Sequence, residues 1–201
     1  MTQPLDRVRT HLDAHFGGTD PDVASVTFLG AEPVEVLRYR LSADGAEDVV
    51  HYVSLGCARH PMVDPTAVVA DPQRGPRAEV VLRLREPGTV TGLARSLAIV
   101  AASPAVEGVV LTPDALVDLG TPLWERPSGR APFTAVLLGH SDIADLVLDP
   151  PRDPVRFLAA TPITATEAAW VRLKGAEAMR QAWQSDGVDV MDPNRPAAQP
   201  N

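Results

Sequence analysis

Cysteine is almost absent: Cys57 is the single one in 201 residues, and a lone thiol closes no intramolecular disulfide. Lysine is as scarce. Of 18 basic residues all but Lys174 are arginine, a bias that fits a GC-rich coding genome better than a need for bidentate arginine chemistry. Positive charge as a whole is in deficit, with a formal net charge of -8, so the basic footprint on which phosphate-backbone binding rests is missing and a nucleic-acid partner is not expected. Long hydrophobic runs are missing too. The longest purely apolar stretch, Leu97 to Ala102, is far too short to span a bilayer. Met1 to Asp6 lacks the basic and apolar regions of a secretion signal, which gives a cytoplasmic expectation. Neither GxGxxG nor GxxxxGK followed by Ser or Thr occurs, so nucleotide binding is not expected either.

What is present is periodic. A chain of this length reads as one domain with a core sufficient to fold without disulfides or metal. Pro4 suits a first helical turn, and Leu5, Val8, Leu12 and Phe16 recur at helical spacing up to Gly17 and Gly18. Extended segments follow around Ser25 to Leu29 and Glu35 to Leu41, with Ser42 to Gly45 closing a hairpin into Val49 to Leu55. From Arg77 to Arg85 the pattern alternates, with Val81 the one apolar residue on the polar face. Ala78, Val80, Leu82 and Leu84 share one face and Arg77, Glu79, Arg83 and Arg85 the other, as in a half-buried strand.

Val90 to Ala101 reads as a helix that Pro104 terminates. Short extended pieces around Val109 to Leu111 lead into a Pro-rich loop. Phe133 to Leu138 and Val155 to Ala160 have the continuous apolar character of strands covered on both faces. Thr164 with Glu167 three residues on forms a capping box, opening a long helix whose inner face is Ala169, Leu173, Ala176, Met179 and Trp183. The fold class expected is α+β: a mixed, mostly antiparallel sheet with helices packed on its faces, over residues 1–192. Residues 193–201 read as a flexible, polar, Pro-rich tail.

The order of these segments resembles the suppressor of fused domain family. The resemblance rests on His51-Tyr52-Val53-Ser54-Leu55-Gly56 followed by a loop and Arg77 to Arg85, on Phe157 to Glu167, and on Gly187 to Arg195. It implies an intracellular interaction domain without known catalysis. The namesake of the family grips an extended peptide of a transcription factor between two domains, of which this chain resembles only the first. The resemblance is to a bacterial, single-domain member, many of which lie in toxin and immunity systems. It therefore implies an immunity or regulatory adaptor protein whose partner is another protein, with a toxin among the candidates. An acidic domain suits a basic toxin surface.

Five residues are the candidate partner contacts: His51, His60, Arg77, Glu79 and Trp124. Arg77 and Glu79 share a polar strand face, either as a solvated or cross-strand pair or, with His51 beside them, as the lining of a groove. Trp124 is either an exposed anchor in its Pro-rich loop or, the favoured reading, a ring tucked onto the core. The alternative function is a hydrolase or metal-dependent enzyme built on Cys57 and His60, with Asp64 and His51 nearby. Paired ligands at short spacing are lacking, as is a signal for an electropositive thiol, so an ordinary surface loop or a buried thiol outweighs it. Asp142, Asp145, Asp149 and Asp153 read as a solvated acidic face, since the spacing lacks the oxygen pattern of a calcium loop. No cofactor, no metal and no catalytic residue is expected.

Overall fold

Pro4 opens the first helix, as its fixed φ allows, and the Leu5-Val8-Leu12 stripe turns inward. In a computed structural model, described for residues 3–41, 48–63, 66, 71–85 and 87–198, this helix is α1 (Pro4–His15), with Val8 and Leu12 buried. Four strands follow: β1 (Asp22–Phe28), β2 (Ala31–Leu41), β3 (Val49–Leu55) and β4 (Arg77–Arg85). Each pairs antiparallel with the next. The turn read at Ser42 to Gly45 lies outside the described residues, while the strands it joins are paired.

The helix α2 (Leu93–Glu107) carries Pro104 inside it and does not end there, contrary to the sequence expectation. The physical reason is local. Proline has no N–H to give to the carbonyl one turn back, and the Ser103 hydroxyl donates to that Val100 oxygen at 2.8 Å in its place. The helix stops at Gly108, whose N–H donates to Pro104 O at 3.1 Å. No strand forms at Val109 to Leu111. Instead the chain makes β5 (Leu116–Asp118), a small hairpin of β6 (Glu125–Arg126) and β7 (Gly129–Arg130), then β8 (Phe133–His140) and β9 (Val155–Thr164).

The large sheet has seven strands in the order β1-β2-β3-β4-β9-β8-β5. β9 is an interior strand, parallel to β4 and antiparallel to β8, so the sheet is mixed and mostly antiparallel. One face carries α2 over Val80, Leu82, Leu84, Val136 and Leu158. The other is covered in two parts, by α1 over Leu37, Val53 and Phe157 and by the C-terminal helices over Ala135, Leu137 and Ile163.

Those helices are two where the sequence suggested one: α3 (Ala165–Lys174) and α4 (Ala176–Ser185). The break is Gly175, at φ 90 and ψ 166, a conformation outside the helical region that glycine adopts without a steric penalty. The expected continuous face fails accordingly. Leu173 is exposed, α3 buries Glu167, Ala168 and Val171 instead, and Ala176, Met179 and Trp183 resume the core on α4.

The segment read as a tail packs against the body of the protein as far as residue 198. Arg195 and Ala198 are buried, and the Arg195 guanidinium meets the Glu167 carboxylate in a bidentate pair, Nη1 to Oε1 at 2.7 Å and Nη2 to Oε2 at 3.1 Å. Glu167 also accepts from Thr164 N, Trp183 Nε1 and Ala198 N, and Arg195 Nη2 donates to Pro162 O at 2.8 Å. A segment that is polar by composition is held because its one buried charge has a built partner.

Candidate functional site

The β3–β4 ladder ends at Val53↔Val81, while β3 continues to pair with β2 as far as Leu55. Beyond Val53 the strands part, and side chains take over the backbone bonding. The Ser54 hydroxyl accepts from Val80 N at 2.8 Å and donates to Glu79 Oε2. Glu79 Oε1 then accepts from Gly56 N at 2.9 Å and Ala58 N at 3.0 Å. A single buried carboxylate thus holds the strand end and the one-turn 3-10 helix Cys57–Arg59.

Arg77, two residues before it on β4, works on the same loop from the carbonyl side. Its Nη1 donates to Ala58 O at 2.8 Å and Arg59 O at 2.9 Å, and its Nη2 to Gln73 O at 3.2 Å. Both side chains are buried, Glu79 completely and Arg77 at 2 % exposure. The expectation of a solvated polar face or a cross-strand ion pair is therefore corrected. The alternation was real, but the face opposite Ala78 and Val80 is roofed by the loop, and each charge satisfies backbone groups and not its neighbour.

Burial pushes the Glu79 carboxyl up to about 7 against the pull of its Gly56, Ser54 and Ala58 donors. Gly56 is the residue this geometry needs. At φ +154 any Cβ there would meet Val34 Cα at 3.1 Å.

The outer side of the pinned loop opens as a hollow of about 380 Å³, with a floor that includes Val34, Met62, Ala101 and Ala102 and a rim of Glu32, Arg59 and His60. His60 Nε2 lies 2.8 Å from Glu32 Oε2, and Arg59 Nε 3.3 Å from the same oxygen. Cys57 also lines the hollow. Burial, with Glu79 adding to it, pushes its thiol well above the ordinary range, which is the opposite of an activated nucleophile. Asp64 lies outside the described residues. No group of three or more His, Cys, Asp or Glu side chains among the described residues is placed to hold a metal ion.

The other candidates lie apart from this hollow. His51 is buried on β3 beneath α1, edge-on to Phe16 at 5.2 Å between ring centroids. Burial, reinforced by Arg83, pushes it down to about 4, so it is a neutral core histidine. It does not line a groove with Arg77 and Glu79. Trp124 is 1 % exposed, tilted against Phe133 at 5.2 Å, and so takes the core side of its two readings. Of the five residues only His60 presents its side chain to solvent, at 74 %. The acidic cluster is partly spent in ion pairs, Asp142 with Arg83 and Asp149 with Arg7.

Sequence reasoning missed Glu32 and Arg59, since a lone charge before a proline and one in a loop carry no periodic signal. It also missed the Glu167–Arg195 pair, though Glu167 had been identified as a capping residue.

Geometry of this kind defines an α+β scaffold, one large mixed sheet with helices on both faces, in which the 56–62 loop and the segment carrying Arg195 are held from beneath by buried charges. The chain belongs to the suppressor of fused family: the family model described as Suppressor of fused protein (SUFU) matches residues 30–196. Comparison with curated protein sequences gives no match. Solved structures share the fold. A putative SUFU homolog from Neisseria gonorrhoeae superposes with a TM-score of 0.65 at 19% identity, covering 96% of both chains. The Sufu-Fu complex gives 0.67 at 13% identity over 96% of this chain and 91% of that one. Drosophila Suppressor of Fused gives 0.68 at 15% identity over 98% of this chain and 51% of the fly chain. Among the described residues no helix is long and apolar enough to cross a membrane.

Proposed function

We propose that this chain is a non-enzymatic protein-interaction domain that engages its partner at the hollow beside His60, and that it serves as a bacterial immunity or regulatory adaptor protein in the cytoplasm. One observation carries the reading. The loop 56–62 is fixed on its inner side by Glu79 and Arg77, while Arg59 and His60 face outward over an open hollow with an apolar floor. A loop ordered before binding loses little entropy on docking, which is the condition for a specific surface. Arg77 and Glu79 then act as positioning residues, and Glu32, Arg59 and His60 as contacts. A structure of a suppressor of fused relative bound to Fu supports a protein as the ligand class. The net charge of -8 favours a basic partner, a toxin of that charge included, through faster encounter.

The test has two stages. The wild type captures a partner from lysate of the source cell, and affinity for that purified partner is then measured against a Glu32→Ala, His60→Ala double variant. Loss of about tenfold or more, as for truncating contacts at an interface centre, is expected. Unchanged affinity overturns the placement. For the immunity role, the partner should be toxic when expressed alone and tolerated when co-expressed with this chain.

A further inference from the structure

The charged groups that border the hollow at His60 are not equally free to take a partner. Arg59 is already committed, its Nε to Glu32 Oε2 and its Nη2 to Pro33 O at 3.1 Å. His60 meets the same Glu32 oxygen, so Glu32 Oε1 is left as an open acceptor among the described residues. The last turn of α2 borders the hollow through Pro104 and Ala105. Beyond Pro104 O, which Gly108 N caps, the carbonyls of that turn have no backbone donor among the described residues. The turn has no basic residue and ends on the exposed Glu107, which forms no ion pair among the described residues. A helix C-terminus is its negative end, where a lysine or arginine is favourable and a carboxylate is not. This border therefore lacks a cation. Exposed apolar side chains gather at the same place. Among the described residues seven large ones are exposed, and three of these, Leu29, Val63 and Val106, border the hollow: Val63 lines it, and the other two adjoin the lining residues Gly30 and Ala105.

We propose that the protein docking at this hollow inserts a large aromatic side chain, and that a lysine or arginine beside that ring in its sequence meets Glu107 and the carbonyl end of α2. This rests on the docking site argued above and supplies the chemistry of its occupant. The floor selects the ring. Ala101 and Ala102 offer a surface without branches, and the Met62 thioether beside them makes favourable contact with an aromatic side chain. A volume of about 380 Å³ holds one such ring and the backbone that carries it. The α2 end selects the charge. A cation there answers Glu107 and the open carbonyls together, with Glu32 Oε1 as a further acceptor. An acidic residue in the same place would face acceptors alone, which sets specificity by repulsion as well as attraction.

The probes are three end-blocked tetrapeptides, Gly-Trp-Lys-Gly, Gly-Trp-Glu-Gly and Gly-Ala-Lys-Gly, titrated into the full isotope-labelled chain at low salt. Binding is read from the amide NMR signals of Gly30, Val63 and Ala102, which line the hollow. The first peptide should shift these signals saturably, with a dissociation constant about fivefold below that of the second. The third, which lacks the ring, should give no saturable shift. Glu107→Lys, at an exposed helix end where a cation is favourable and the fold is kept, should reverse the order of the first two. No saturable shift up to the solubility limit of the first peptide overturns the proposal. So does equal affinity for the lysine and glutamate peptides, and so does an order that Glu107→Lys leaves unchanged. The docking site is judged separately, by the Glu32→Ala, His60→Ala double variant and the captured partner. Lost affinity there, beside failed peptides, removes this occupant and keeps the site, whereas unchanged affinity removes the site.

Discussion

Glu79 and Glu167 are both completely buried glutamates, and their carboxyls are shifted in opposite directions. Around Glu79 the described donors are neutral, a hydroxyl and backbone N–H groups, and burial pushes its carboxyl up to about 7. Around Glu167 burial also pulls upward, but the Arg195 guanidinium and the Thr164 and Trp183 donors outweigh it and hold the carboxyl below the ordinary range. Depth alone does not set the charge of a carboxylate. The nature of the partner does, and a full countercharge in bidentate contact accomplishes what several neutral donors do not.

The largest expected effect comes from breaking the paired site. Arg195→Met leaves Glu167 charged, buried and unpaired, and should lower unfolding free energy by about 3–5 kcal/mol, read by chemical denaturation. Arg77→Met removes a donor from Ala58 O, Arg59 O and Gln73 O. It should cost about 1–3 kcal/mol for each buried acceptor left unsatisfied, discounted where water reaches the loop.

The comparison sharpens when pH is varied. The folded protein holds a proton on Glu79 that the unfolded chain releases near 4.5, so this group favours folding below 4.5 and its contribution is lost as pH rises to about 7. His51 acts in the opposite sense. Its folded value is near 4 against 6.5 unfolded, so its contribution is full above 6.5 and is lost as pH falls towards 4. The two slopes oppose each other between 4.5 and 6.5. Glu79→Gln should therefore make stability rise more steeply with pH across that window than in the wild type, and His51→Phe should make it fall. Equal slopes in all three proteins would refute both assignments. The smallest effect belongs to an exposed pair: Asp118→Asn removes the Arg172 contact and should change stability by about 0–1 kcal/mol.

Much of the scaffold was legible because its signals are local. The alternation from Arg77 to Arg85, the capping box at Thr164 and the helical stripe from Leu5 all reappear as elements. Other features were not, for identifiable reasons. Alternation tells which residues share a strand face but not what covers it, so Arg77 and Glu79 read as wet when a loop twenty residues upstream lies over them. A capping glutamate has a local signature, whereas its arginine partner stands 28 positions away. At Pro104 a breaker was overruled by the neighbouring Ser103 hydroxyl. His60 was identified as a candidate, but the hollow beside it joins β2, the loop and α2, and no window of sequence contains all three.

The insertion of β9 between β4 and β8 carries a kinetic meaning. β1 to β4 pair with their sequence neighbours, and β8 reaches β9 through a modest connection. The β4–β9 seam, by contrast, joins Arg77 to Val155, so the sheet becomes continuous only after a long closure. Pairings so distant along the chain come late and slowly, because loop entropy is lost before contacts repay it. Refolding should then pass through two partly formed halves. Val155→Ala, at the seam, should speed unfolding while leaving the refolding rate nearly unchanged in stopped-flow fluorescence. A matching slowdown of refolding would place the seam early instead.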